Sequence, residues 1–375
     1  MKRQSVLLFV LAGWLAICLH GKLLPAPATQ PRIQLAILLD TSGSMDGLIG
    51  QAKSRLWKIV NELATARKNG QAPRLQVALY EYGQDSIPAS AGYLRRIVPL
   101  SDDLDRISEE LFKLKTNGGQ EYCGQVIQTA VRDLEWCGRN GDLQMIVIAG
   151  NEPFSQGGID YKNSCREAIS RGIIVNTIFC GNYQEGLQTE WKAGADLADG
   201  QYLAIDADQS PPPISAPQDN EIARLSQELN QTYLGYGKDG AGGKARQKEQ
   251  DLNAATLSGE VMAQRAAAKA SPQYSNSAWD LVDAKKLGQV KLEEMDEADL
   301  PQEMKGMSTK ERNEYVAAMQ SKRETLQKKI ARLHGERERY VDAKMKNQAA
   351  ASTLDAAIIR ALHSQAAGKK FSFDK

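Results

Sequence analysis

The 375-residue chain reads as an α/β protein: a mainly parallel, doubly wound sheet with one antiparallel edge strand, followed by a mostly α-helical C-terminal region. Three observations predict this. From Pro31 to about Gly237, short apolar runs alternate with helical patterns, the sequence sign of a parallel sheet covered on both faces. The run Leu35-Ala36-Ile37-Leu38-Leu39 is continuously apolar and stops at Asp40, as expected of a central strand buried on both faces with a loop at its carboxyl edge. Beyond residue 244 the composition shifts to Lys, Glu, Gln, Arg and Ala, with few large apolar residues.

In chain order, the patterns predict strands at 33–40, 74–82, 93–98, 143–150, 173–180 and 201–205. Helices fit between them at 46–69, 102–114, 121–136, 160–171, 187–198 and 219–234. Only the join between Tyr82 and Tyr93 is too short for a helix, so strand 93–98 should pair antiparallel at an edge. The last of these helices carries Ile222, Leu225, Leu229, Thr232 and Tyr233 on one stripe and is expected to pack back on the sheet. The organisation expected is thus a segment 1–28, an α/β domain 31–237 and a helical, partly flexible region 238–375. A formal charge of +1 offers no field for nucleic acid.

Met1 to Ala28 has the form of a targeting segment. Lys2 and Arg3 precede the apolar stretch Ser5 to Cys18, and Ala26-Pro27-Ala28 fits a small-x-small cleavage site. The apolar stretch is short for a membrane span. Export to the periplasm or cell envelope is the expectation, with an uncleaved N-terminal anchor as the alternative and the only route to a membrane.

The loop after the first strand, Asp40-Thr41-Ser42-Gly43-Ser44, places one carboxylate and two hydroxyls at every second residue, so a turning backbone can aim all three at one point. Hard oxygen donors of this kind suit Mg²⁺, Mn²⁺ or Ca²⁺. The same residues are also good turn and helix-capping chemistry. Asp-x-Ser-x-Ser between a buried first strand and a helix resembles the metal-ion-dependent adhesion site of von Willebrand factor type A domains. The strand and helix pattern of 31–237, short antiparallel strand included, is similar to the whole of that domain. The resemblance implies a protein-binding module that uses a loop-bound dication to engage an acidic group of a partner.

Two further loops complete the site in that family, and here they depart from its pattern. Where the family places a threonine after a glycine pair, this chain reads Thr116-Asn117-Gly118-Gly119-Gln120-Glu121. Glu121 is the nearest substitute, and Thr116 stands too early. Glu121 also reads as a first-turn carboxylate favourable to a helix dipole. Where the family places an aspartate after a core strand, Met145 to Ile148 leads to Asn151 and Glu152. Either could take that place, or both belong to an ordinary turn before Pro153.

Removal of the leader would leave Cys123, Cys137, Cys165 and Cys180, an even number for an exported protein. Cys123 and Cys137 bound one expected helix and would lie about 21 Å apart, beyond the ~7 Å reach of a bridge. A Cys165–Cys180 bridge at the carboxyl edge is geometrically reasonable, with Cys123 as a competitor. Alternatively all four are small buried apolar residues. The three histidines lie outside the α/β region, so no serine or cysteine nucleophile there has a histidine partner, and an enzyme is not expected.

Gln209 to Asn220, with Pro211, Pro212, Pro213 and Pro217, reads as a stiff connector, and Gly235 to Gly243 as a cap followed by a flexible hinge. Gln250 to Lys269 should be helical, and Tyr274 to Asp283 is an aromatic patch able to dock. Ser308-Thr309-Lys310-Glu311 is a capping box opening a long helix. Its 3–4 spaced row alternates Met319, Leu326, Leu333 and Tyr340 with Val316, Arg323, Ile330 and Arg337, a weak coiled-coil seam that packs on its own chain or on a partner helix. A last short helix is expected within 349–367. The function classes left are a metal-using binding module of the cell envelope and a metal-independent scaffold of the same fold.

Overall fold

The computed structural model describes residues 30–208, 212–345 and 353–373. The leader, with Cys18, lies outside the described residues. Strands β1 (Arg32–Asp40), β3 (Arg74–Tyr82), β4 (Leu94–Ser101), β5 (Leu143–Gly150), β6 (Ile174–Cys180) and β7 (Tyr202–Ile205) form one sheet, while β2 (Ala66–Arg67) pairs with β8 (Ser372–Phe373). The large sheet runs β4-β3-β1-β5-β6-β7, and every pairing is parallel except β3 with β4. The expected edge strand and its direction are therefore observed. β1 sits at the centre because its two faces are both apolar: Ile33, Leu35, Ile37 and Leu39 enter one core layer, Ala36 and Leu38 the other.

Helices α1 (Asp46–Ala64) and α2 (Leu104–Lys113) cover the first face; α3 (Cys123–Asp133), α4 (Tyr161–Ser170) and α6 (Trp191–Asp196) cover the second. The helix expected over 187–198 is split into α5 (Tyr183–Gln188) and α6, because Glu190 takes a left-handed backbone (φ 68°) and the Thr189 carbonyl turns aside to accept Phe154 N–H.

The helix expected to close the sheet, α7 (Asp219–Asn230), packs instead on α9 (Gly259–Ala270) and α11 (Thr309–Met345). Its place on the first face is taken by α12 (Leu354–Gly368), which touches α1, β5, β6 and β7. Leu354, Ala357, Ile358, Ala361, Leu362 and Ala366 form its buried stripe, and the alanines let it lie close to the strands. Gln365 and Asn176 of β6 exchange amide hydrogen bonds in the core. The end of the chain thus completes the core of the α/β body.

The second half of the glycine run expected as a hinge, Gly240, Gly242 and Gly243, is part of α8 (Gly240–Leu257). Gly243 lies against Trp279, where a Cβ would come within 2.3 Å of the ring, so its glycine permits close packing rather than bending. The helix expected over 250–269 breaks at Ser258, whose extended backbone ends α8 and whose hydroxyl accepts Val261 N–H to cap α9. Tyr274 and Trp279 are buried against Tyr233, and α10 (Leu281–Lys286) follows.

Of the two arrangements open to the long helix, packing on its own chain is the one observed. α11 opens on the expected capping box, Ser308 N–H donating to Glu311 and Glu311 N–H to Ser308 Oγ, and it packs on α7, α9 and α10 of its own chain. The row interrupted by arginine is the buried one: Val316, Arg323, Ile330 and Arg337 all lie inside. Arg323 reaches Asp280 at 2.7 Å and Asp283 at 2.8 Å, and Arg337 reaches Asp219 at 2.7 Å. The arginines are intramolecular anchors. A second buried network joins α2, α8 and α9: Arg265 bridges Asp105 and Asp251 and lies 4.3 Å over the Trp57 ring, and Lys269 reaches Asp251 at 2.7 Å.

The four cysteines among the described residues are free thiols. The proposed Cys165–Cys180 bridge is not formed because the two residues lie on opposite faces of the sheet, Cys165 in the layer under α3 and α4 and Cys180 in the layer under α1 and α12.

Candidate metal site at the carboxyl edge of the sheet

Asp40 is the last residue of β1 and is fully buried. Its Oδ1 accepts Ser42 N–H at 2.7 Å, which folds the loop back on its own strand. Ser42 is buried and Ser44 exposed, with their hydroxyls 3.3 Å apart. The second loop is stitched to the first by its backbone: Gly43 N–H donates to Gly118 and Asn117 N–H to Thr41. Two glycines that sequence reading passed over make the room. A Cβ on Gly83, just after β3, would lie 2.8 Å from Asp40 Oδ1 and 2.9 Å from Glu121 Cγ; one on Gly150, the last residue of β5, would lie 3.0 Å from Asp40 Oδ2. Their signal in the sequence was a glycine at the carboxyl end of each strand flanking β1.

Glu121 is brought to Asp40. Its side chain is only 2% exposed, its backbone N–H donates to Gln156 Oε1, and around Gly83 its carboxyl arm stands beside Asp40 Oδ1 and the Ser42 side chain. Two facing carboxyl groups have no donor between them unless one is protonated or a cation intervenes. Burial, and then Asp40 itself, push Glu121 up to about 9. Asp40 is also raised, by burial.

From the third loop, Asn151 Nδ2 donates to Ser44 Oγ at 3.1 Å. Glu152 adds only charge nearby, while its carbonyl accepts the Trp191 ring N–H at 2.8 Å. Thr116 is turned away to Asp46. The structure therefore gathers Asp40, Ser42, Ser44, Glu121 and Asn151, and sets Glu152 at the rim.

Among the described residues no group of three or more His, Cys, Asp or Glu side chains is arranged for a metal; the donors here are two carboxylates and neutral oxygens. That set nevertheless fits a hard dication. Asp40 Oδ2, Glu121 Oε2 and Asn151 Oδ1 are buried oxygens without a hydrogen-bond partner, and oxygen is what Mg²⁺, Mn²⁺ and Ca²⁺ bind.

Comparison with known proteins agrees with this architecture. Residues 34–189 match the family model of the von Willebrand factor type A domain. Nothing among curated proteins matches significantly. Similar solved structures include the hypothetical protein BatB from Bacteroides thetaiotaomicron, 15% identical, covering 46% of this chain and 90% of that one with a TM-score of 0.36. The SpRpn10 VWA domain is 15% identical, covering 46% and 88%, TM-score 0.35. Proximal thread matrix protein 1 from the mussel byssus, in a form with a zinc-occupied adhesion-site motif, is 14% identical, covering 48% and 43%, TM-score 0.35. On the family match and the sheet described above, residues 34–189 of this chain are a von Willebrand factor type A domain, a protein-interaction module.

Proposed function

We propose that this chain is an exported binding module that holds a divalent cation, Mg²⁺ or its relatives Mn²⁺ and Ca²⁺, at the edge of its sheet and engages an acidic group of a partner protein. The observation that carries the reading is the convergence of Asp40, Glu121 and Asn151, each with an unpartnered buried oxygen, beside the Ser42 and Ser44 hydroxyls. The cation supplies positive charge at a point where the chain has only negative and neutral groups. Asp40 and Ser42 orient toward it through their own hydrogen bond, Asn151 positions Ser44, and Ser44 is the donor on the accessible side. Export rests on the basic, then apolar, start of the sequence. Among the described residues no helix is long and apolar enough to cross a membrane.

Calorimetry with Mn²⁺ and Mg²⁺ tests the site: the wild type should bind and Asp40→Ala should not. Capture from an envelope extract should then lose its partner when chelator is added. Equal binding by wild type and Asp40→Ala would remove the site. The second reading, a scaffold without metal, is favoured by one observation: Asp40 and Glu121 are buried side by side, where a shared proton could stand in place of a cation.

A further inference from the structure

We propose that Glu121 is this chain's own carboxylate ligand at the cation site, taking the place that an acidic partner group would otherwise fill, so that the resting site is closed. This rests on the reading of the site as a dication site and adds what its second loop does there.

Three observations point to it. First, Glu121 is not a helix residue in the service of α3. That helix starts at Cys123 with no side-chain cap and no acidic residue in its first turn, and Glu121 Oε2 has no partner. A carboxylate placed for the helix dipole would meet its N–H groups or water; this one is turned inward on Asp40. Second, room has been made for it. Glycine at 83 is what allows Glu121 Cγ and Asp40 Oδ1 to stand where a side chain would otherwise be. Third, the charges count against an acidic partner. Asp40 alone would leave a bound dication one negative charge short of neutrality, an attraction that a partner carboxylate satisfies. Asp40 and Glu121 together neutralise it, and Glu152 at the rim repels a further anion. An incoming acidic group must therefore displace Glu121.

The experiment uses the full chain, Mn²⁺ as the cation and acetate as the carboxylate probe. Mn²⁺ affinity is measured by calorimetry with and without acetate, for wild type, Asp40→Ala and Glu121→Gln. The wild type should bind Mn²⁺ with an affinity indifferent to acetate. Glu121→Gln should bind about tenfold more weakly or worse, a loss of about 1.4 kcal/mol, and acetate should restore part of that loss. If Mn²⁺ binding depends on Asp40 but is the same in wild type and Glu121→Gln, or if acetate strengthens both alike, this inference fails while the metal site stands. If the wild type binds no Mn²⁺, or Asp40→Ala binds as well, the site reading fails and takes the inference with it. Should Glu121→Gln not fold, Glu121→Asp, which keeps the charge but withdraws it by one methylene, must show weaker, acetate-responsive binding; wild-type behaviour in that variant overturns the proposal.

Discussion

Two clusters of buried charge lie in this molecule some distance apart in sequence and differ in how they are completed. In the helical layer, Asp105 and Asp251 face Arg265 and Lys269, two negative charges against two positive, with Tyr274, Ser226 and Asn230 filling the remaining hydrogen bonds. At the edge of the sheet, Asp40 and Glu121 lie side by side, and among the described residues no cationic side chain pairs with either. Burying a charge is tolerated when it is paired and costs several kcal/mol when it is not. The first cluster is finished by the fold and holds helices together. The second has no such partner, and a proton or the proposed metal ion would complete it. The contrast separates glue from site using chemistry alone.

The sharpest way to break that comparison is to unfinish the finished cluster. Arg265→Met keeps the side-chain volume and the packing on Trp57 but leaves Asp105 and Asp251 short of their shared partner. The expected loss is about 3–5 kcal/mol in urea denaturation. A loss below about 1 kcal/mol would mean that the network is not what holds α2, α8 and α9 together. Lys269→Met should cost less, about 1–3 kcal/mol, because Asp251 keeps Arg265 and Asn230 as partners. If it costs as much as Arg265→Met, the two cations are equivalent and the ranking is wrong.

The same substitution logic at the sheet edge should give the reverse result. In metal-free protein, Glu121→Gln removes one of two facing carboxyl groups and leaves an amide that can donate to Asp40. At about pH 5, where the wild-type pair still holds its proton, stability should stay within about 1 kcal/mol of wild type and not fall. A loss of several kcal/mol would place Glu121 among the structural residues with Asp251, and would withdraw the distinction drawn between the two clusters.

How much of this was legible beforehand follows the range of the interactions. Strand periods and the loop Asp40-Thr41-Ser42-Gly43-Ser44 are local, and each of the six main strands was placed to within a few residues. The partner of Asp40 was readable only as an ambiguity, since Glu121 is separated from it by 81 positions and its inward turn depends on glycine at 83. The role of α12 was not legible at all. The stripe of α7 is as apolar as a sheet-covering helix needs, and only three-dimensional competition decides that residues 354–368 take the place. Arg323 and Arg337 misled because an arginine in an apolar row reads as a solvent-facing interruption; Asp280 and Asp219, which make them core residues, lie far away in sequence.

The remaining expected effect is in the pH dependence of stability, and there the two clusters have opposite signs. Burial alone would raise Asp251, but the charges of Lys269 and Arg265 outweigh it and hold the carboxyl below its ordinary 3.8. A group with a depressed folded value contributes stability that is present above its unfolded value and is lost as pH falls through the folded one, so the Asp251 contribution is fully present above pH 3.8 and is lost below it. Glu121 is raised from 4.5 to about 9, by burial and by Asp40. Its contribution is fully present below pH 4.5 and is lost as pH rises toward 9, since the folded state then holds a proton that the unfolded state has released. With chelator present, wild-type stability should therefore decline relative to Glu121→Gln between about pH 5 and pH 8.5, the difference cancelling groups common to both proteins. Saturating Mn²⁺ should flatten the decline by taking the proton's place. Parallel profiles for the two proteins across that range, with and without metal, would show that the carboxyl groups of Asp40 and Glu121 do not share a site in solution.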